Sequence, residues 1–186
     1  MTTWLTADLH FGHRRIIELA HRPFDSLPEM HECLIESWNS MVGRHDRVFV
    51  LGDFGFHGPH ADLAAIFDAL AGEKHLVIGN HDESNPAVLG LPWASQTWFG
   101  RIRDNKRRIF VCHYPMTTWP YAHHGHPHAH GHSHGTLTER RPRRGDVGID
   151  VSWPNRVSGE PLPFDVVYEV LTEERYAPVD HHGGVS

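Results

Sequence analysis

Apolar residues along this chain fall into short runs and helical stripes that take turns. Residues 4–7 form a short apolar run that reads as a buried strand, and residues 13–20 set Ile16, Ile17 and Leu19 among charged neighbours as an amphipathic helix does. Ser26, Pro28 and Glu29 place a cap and an early proline before Met30, Leu34, Ile35, Trp38 and Met41 at helical spacing, which predicts a second helix. Residues 48–51 and 76–78 are further apolar runs, stopped by Gly52 and Gly79, with a helical period over 62–71 between them. Strands and helices alternate. From Trp93 onward the pattern changes to short aromatic and β-branched segments at 96–99, 101–103 and 108–112, with Asp104 and Asn105 as a turn, which predict antiparallel strands. Residues 162–174 carry Phe164, Val167, Tyr168 and Leu171 on one helical face, and the tail 178–186 reads as a loose end.

A chain of 186 residues with 39% hydrophobic content fits one domain, 1–186, with enough apolar material for a real core. No stretch approaches the roughly 18 unbroken apolar residues of a membrane span, and the start lacks the pattern of a secretory leader, so a soluble cytoplasmic protein without a membrane partner is expected. Cys33 and Cys112 fit neither a disulfide framework nor a CxxC metal site and read as buried free thiols. Histidine is the anomaly. There are 19 of them beside a formal net charge of -6, and many crowd between His113 and His134. Imidazole is both a common metal ligand and a group that titrates near neutral pH, so composition leaves coordination and pH sensing open. The His-rich segment 121–134 reads as a loop of biased composition, in which mobility and opportunistic metal binding are the ordinary expectation.

Four apolar runs end in residues that metals favour: Asp8 and His10, then Asp53, then Asn80 and His81, then His113. In an open α/β sheet ligands bind beyond the carboxyl ends of the strands, so these groups are expected to converge. Carboxylate, imidazole and amide oxygen together suit borderline divalent ions, Mn²⁺, Fe²⁺, Zn²⁺ or Ni²⁺, better than Ca²⁺ or a thiolate site. Two such ions held by a bridging carboxylate would orient a phosphate and lower the pKa of a shared water. Hydrolysis is the chemistry implied.

The blocks "ADLH", "LGDF", "IGNHD", "CHYP" and "GHSHG", spread in order from Asp8 to Gly135, resemble the five motifs of the calcineurin-like metallophosphoesterase superfamily. The flanking "RPFDS", "WN" and "DVGIDVSW" resemble a subgroup of small bacterial and phage phosphoesterases. The resemblance implies an α/β fold, a four-layer αββα sandwich of two mixed β-sheets flanked by helices. It also implies that Asp8, His10, Asp53 and His134 hold one ion, while Asp53, Asn80, His113 and His132 hold a second, with manganese the first choice. Asp53 would bridge. His81 would donate to the phosphate or protonate the leaving oxygen, and a metal-bridging hydroxide would attack phosphorus.

The last motif has two possible frames, because Gly125 to His128 and Gly131 to His134 both read GHxH. Alternate residues of an extended chain point the same way, so either pair suits a shared centre. The second is preferred, since Gly135 follows it as in the family and Pro127 would weaken strand pairing across the first. His123, His124, His126, His128 and His130 then form an extra loop near the site: a substrate rim, a metal-gathering tether, or nothing. Protein serine/threonine phosphatases of the superfamily carry GDxxDRG, whereas Phe54, Gly55, Phe56 and His57 follow Asp53 here. Asp82 either replaces the missing carboxylate behind the catalytic histidine or serves as a turn residue.

For the substrate, a phosphate ester and possibly a nucleotide, Arg22 is the preferred phosphate contact; Arg14 and Arg15 read as solvated helix charges. Nucleic acid is a possible partner, with basic clusters at 101–108 and 140–144 and Trp119, Tyr121 and Trp153 as stacking groups. Two alternatives to a general phosphoesterase stand beside it: a metal-dependent nuclease on single strands, and a non-catalytic metal-binding protein driven by the histidines.

Overall fold

Most of the predicted periods become the elements they imply. The computed structural model describes residues 1–56, 58, 61–154, 156 and 159–176; His57 and the tail 178–186 lie outside them. The chain runs β1 (Thr3–Thr6), α1 (Ile16–Leu19), α2 (Leu27–Met41), β2 (Arg47–Val50), α3 (Leu63–Ala69), β3 (Glu73–Val77), α4 (Asn80–Glu83), α5 (Pro86–Leu89) and β4 (Ser95–Thr97). It continues as β5 (Phe99–Asp104), β6 (Arg107–Cys112), β7 (His128–His130), β8 (Arg144–Asp146), β9 (Leu162–Pro163) and α6 (Phe164–Thr172). Helix starts follow the expected chemistry: the Ser26 side chain accepts from the Glu29 N–H and the Asp62 side chain from the Ala65 N–H, each occupying a backbone donor that a helix leaves free.

Two mixed sheets result. The first has the order β4-β3-β2-β1-β9, parallel from β4 to β1 with β9 antiparallel at the edge; the second has the order β5-β6-β7-β8, in which only β5 and β6 are antiparallel. The segment 96–99 therefore divides instead of forming one antiparallel strand. Ser95–Thr97 extends the first sheet beside β3, and Phe99 opens the hairpin of the second.

Helices α1 to α5 cover the outer face of the first sheet over a core that includes Met30, Leu34, Trp38, Val48, Val50, Phe54 and Leu76. Between the sheets lie Leu5, Leu51, Val77, Ile102, Ile109 and Val111, joined by Phe164, Val167 and Leu171 of α6. Each such side chain contributes roughly 1.5–3 kcal/mol by leaving water. A smaller cluster, Phe110, Cys112, Trp119 and Ala122, lies on the outer face of the second sheet.

The His-rich segment 121–134 is not one loop, which corrects the sequence expectation. Its middle is β7, between β6 and β8, with His128 and His130 buried. His128 fits an interior position because both ring nitrogens have backbone partners: Nδ1 lies 3.3 Å from the Phe110 carbonyl, and Nε2 accepts from the Met116 N–H at 3.2 Å. Burial pushes its pKa down to about 3, so the ring is neutral. No helix among the described residues is long and apolar enough to cross a membrane.

Candidate metal centre

Register brings the ends of β1, β2 and β3 side by side, since Thr6 pairs with Val50 and Val50 with Leu76. Beyond those ends the backbone turns into the left-handed region at residues that seldom adopt it. Asp8 (φ 60°), His10 (φ 53°), Asp53 (φ 57°), His132 (φ 68°) and His134 (φ 46°) are five of the nine described non-glycine residues with positive φ. Such conformations cost about 1–3 kcal/mol each and persist where the surroundings hold them. Here the Asp8 N–H donates to the Gly52 carbonyl at 3.0 Å, the His10 N–H to the Asp53 carbonyl at 2.9 Å, and the His81 N–H to Asp53 Oδ1 at 3.0 Å. The glycines that stop two strands leave room for the ligands: a Cβ on Gly52 would lie 2.1 Å from His113 Nδ1, and one on Gly79 would lie 2.4 Å from Asp53 Oδ1.

Ligating atoms of Asp8, His10 and His134, of His10, Asp53 and His81, and of Asp8, Asp53 and His113 each gather within 4.8 Å of one another. His10 Nε2 is 3.3 Å from His134 Nε2 and 3.6 Å from Asp53 Oδ2. On the other side of that carboxylate, His113 Nε2 lies 3.5 Å from Asp53 Oδ2 and 3.0 Å from Asn80 Oδ1, and His132 Nδ1 lies 2.9 Å from the same amide oxygen. Two groups of donors share Asp53. The structure thus brings together Asp8, His10, Asp53, Asn80, His81, His113, His132 and His134. It aims the second GHxH pair at the centre and places His128 of the first pair inside the second sheet. No residue of 121–130 joins a metal-ligating cluster among the described residues.

The donor set fits divalent cations. His113 Nδ1 donates to the Leu51 carbonyl at 2.8 Å, and burial pushes the ring pKa down to about 4, which leaves Nε2 as a bare lone pair facing two oxygens. His134 Nδ1 likewise donates to Asp150 Oδ2 at 2.7 Å, which fixes its Nε2 as the inward atom. Asp8 is fully buried; burial first, then the charges of Asp146 and Asp53, hold its pKa well above the usual carboxylate range. Lone pairs and carboxylates facing one another lack the positive charge that would reconcile them, and nitrogen and oxygen donors without thiolate match borderline divalent ions.

Several supporting residues were not evident in the sequence. Arg22, expected at a substrate phosphate, is buried and engaged inside the protein instead: Nε and Nη2 donate to the two Asp150 oxygens at 2.8 and 2.9 Å, Nη2 to the Asp8 carbonyl at 2.6 Å, and Nη1 to the Leu9 carbonyl at 3.0 Å. Asp150 accordingly links Arg22 to His134. Asp146 accepts from Ser133 Oγ at 2.6 Å and from the Gly135 N–H at 3.1 Å, bracing the loop that carries His132 and His134. Asp82 takes the turn role: its carboxylate accepts the N–H groups of Asp53 at 2.7 Å, Gly79 at 2.9 Å and Phe54 at 3.0 Å, joining two ligand loops. His13, the first residue of the helical pattern over 13–20, precedes α1, and its ring stacks on Phe56 at 4.4 Å and stands 5.6 Å from the His81 ring. The signals were present in "DVGID" and "TADLHFGH", but only spatial neighbours give them roles.

No family model matches the chain. A stretch of 86 residues, 45% of this chain, is 36% identical to the Gene 66 protein of Mycobacterium phage L5 and spans 41% of that protein. The Gene 66 protein of Mycobacterium phage D29 is 29% identical over 91% of this chain and 96% of its own length. The uncharacterized protein MJ1445 of Methanocaldococcus jannaschii is 27% identical over 90% of each chain. Among solved structures, AQ665 from Aquifex aeolicus, a protein of unknown function, superposes with a TM-score of 0.70 at 21% identity, covering 91% of this chain and 98% of its own. YfcE, a phosphoesterase from E. coli, superposes with a TM-score of 0.52 at 20% identity, covering 80% and 79%. The fold is the calcineurin-like metallophosphoesterase fold. The phage relatives agree with the small phage subgroup that the flanking motifs resemble.

Proposed function

We propose that the protein is a dinuclear metal-dependent phosphoesterase that hydrolyses phosphate mono- or diesters. The observation that carries this reading is the pair of donor groups that share one carboxylate, Asp53, at the carboxyl ends of the sheet. Asp8, His10, Asp53 and His134 would hold one ion and Asp53, Asn80, His113 and His132 the other, with manganese preferred over iron, zinc or nickel. Divalent ions bound there would polarise a phosphoryl oxygen and make water acidic enough to react near neutral pH.

The chain's own groups do the rest. His81 is anchored by its backbone N–H on Asp53, and its ring stands 5.1 Å from that of His10, beside the reacting region, where it donates a proton to the departing oxygen. Asp82 and Asp146 keep the ligand loops fixed, so that donors need not reorganise when substrate arrives. Free thiols at Cys33 and Cys112 suit a reducing compartment, and the cytoplasm is the proposed one.

Hydrolysis of an aryl phosphodiester with Mn²⁺ tests the reading. Asp53→Asn and His113→Ala are each expected to lower the rate at least 100-fold while circular dichroism stays native. Wild-type rates in both folded variants would refute it.

A further inference from the structure

Alternate residues of a strand share a face, and directly paired residues of neighbouring strands point the same way. Phe99, Arg101 and Arg103 of β5 pair with Cys112, Phe110 and Arg108 of β6, so all six stand on one side of the second sheet. Ile102, Ile109 and Val111 face the inter-sheet core, which makes the first set the outward side. Charge divides in the same manner. Inward-facing Arg107 pairs with Asp165 at 2.9 Å and Glu169 at 3.2 Å, and Asp104 lies 3.9 Å from Arg47. Outward-facing Arg101, Arg103 and Arg108 have no carboxylate within ion-pair reach among the described residues.

Exposed aromatic rings interleave with these cations. Phe99 is 57% exposed and Tyr121 40%, far more than rings of this size usually show. The Arg101 guanidinium lies 4.0 Å over the Tyr121 ring centroid, and the His126 ring stands 5.5 Å from Tyr121. Tyr121 also has φ 68°, a left-handed conformation that a bulky residue keeps only where its surroundings impose it, and one that recurs at ligand clamps. The stripe leads to the metal centre. Phe99 is paired with Cys112, the next residue is the candidate ligand His113, and the Tyr114 ring stands 5.1 Å from that of His113 and 4.9 Å from that of His132. From Phe99 to Arg103 the track is about 13 Å long.

We propose that this stripe binds single-stranded nucleic acid, with phosphates on Arg101, Arg103 and Arg108 and bases stacked on Phe99 and Tyr121, and delivers a phosphodiester to the metal centre. Unpaired cations supply sequence-independent attraction, and exposed rings accept any unpaired base, which a duplex does not offer. The delivery step rests on the phosphoesterase reading above. Hydrolysis would consume one water and break one P–O bond, leaving a phosphomonoester on one fragment and a hydroxyl on the other. The histidines of 123–126 flank the track beside Tyr121.

Fluorescence anisotropy of the Mn²⁺-loaded protein with labelled phosphorothioate oligo(dT) and oligo(U), over a salt series, tests the track. Both single strands are expected to bind more tightly than a duplex of the same length. The triple substitution Arg101→Ala, Arg103→Ala, Arg108→Ala should weaken binding at least tenfold and flatten the log–log salt slope by about 2, at roughly 0.7 per phosphate contact. Tyr121→Ala should weaken binding without changing that slope, and Arg15→Ala, just before α1, should change neither. Binding of only one of the two oligonucleotides supports the track and shows that it discriminates between the two strands. No saturable binding, equal affinity for duplex, or a wild-type slope in the triple variant overturns it. If an aryl phosphodiester is hydrolysed but no oligonucleotide binds, the track fails and the phosphoesterase reading stands; if oligonucleotides bind with the expected slope but no ester is cleaved, the reverse holds.

Discussion

Asp150 shows how much of a candidate metal centre depends on one carboxylate outside the ligand set. It accepts from His134 Nδ1 at 2.7 Å and from Arg22 Nε at 2.8 Å, and Arg22 in turn reaches the carbonyl of Asp8. The two hydrogen bonds and the Arg22 charge pull the Asp150 carboxyl below its usual range although burial pushes the other way, so it stays charged and keeps the proton on the outward nitrogen of His134. Asp150→Asn removes that charge and lets the His134 ring turn. The expected result is a 10–100-fold loss of Mn²⁺ affinity confined to one of two ions, read by titration calorimetry. Two ions binding with wild-type affinity would show that Asp150 has no such part.

At the scale of elements, the strand-to-loop junctions are the demanding pieces, and they were also the most legible. Apolar runs stopped by Gly52 and Gly79 could be read directly, because a glycine with a ligand after it leaves a pattern in consecutive residues. The reason for the glycine is spatial. Gly52 has φ 92°, and any Cβ there would meet His113, which follows β6 of the other sheet. Gly52→Ala is therefore expected to cost more than about 1 kcal/mol in stability. It should also displace His113 and with it one ion, measured by thermal melting with and without Mn²⁺. An unchanged melt and two bound ions would mean that the junction yields easily. β7 was hidden for the opposite reason: histidine carries no apolar signal, so a buried strand of His128, Ala129 and His130 reads as biased loop until its neighbours are known. β8 and β9 are three and two residues long, too short for any period to register. Arg22 was misplaced because an arginine near a motif offers no sign in sequence of whether its partner is substrate or a carboxylate 128 residues away.

For the whole molecule, buried imidazoles make stability depend on acid. In the unfolded chain His128 titrates near the ordinary histidine value of 6.5, whereas burial lowers it to about 3 in the fold. Between those values the unfolded chain binds more protons than the native one, so stability is full above about 6.5 and falls as pH drops through the window, by roughly 1.4 kcal/mol per pH unit for this group. Asp8 and Asp53 act with the opposite sign in the metal-free protein. Their carboxyls are held above the usual range, chiefly by burial, so acidification relieves the fold of charge that it shelters poorly. Bound ions would remove that relief, because ligation requires the carboxylates ionised and the imidazoles neutral. Mn²⁺ is accordingly expected to raise the melting temperature at pH 7.5 and to lose that effect by about pH 5, as protons displace it. In EDTA, His128→Gln, which can still donate to one backbone carbonyl and accept from one N–H, should flatten the fall in unfolding free energy between pH 6.5 and 4.5 by about 1.4 kcal/mol per unit. Urea titrations across that range give the slopes directly, and equal slopes for the two proteins would mean that His128 is not the proton acceptor that acid unfolding releases.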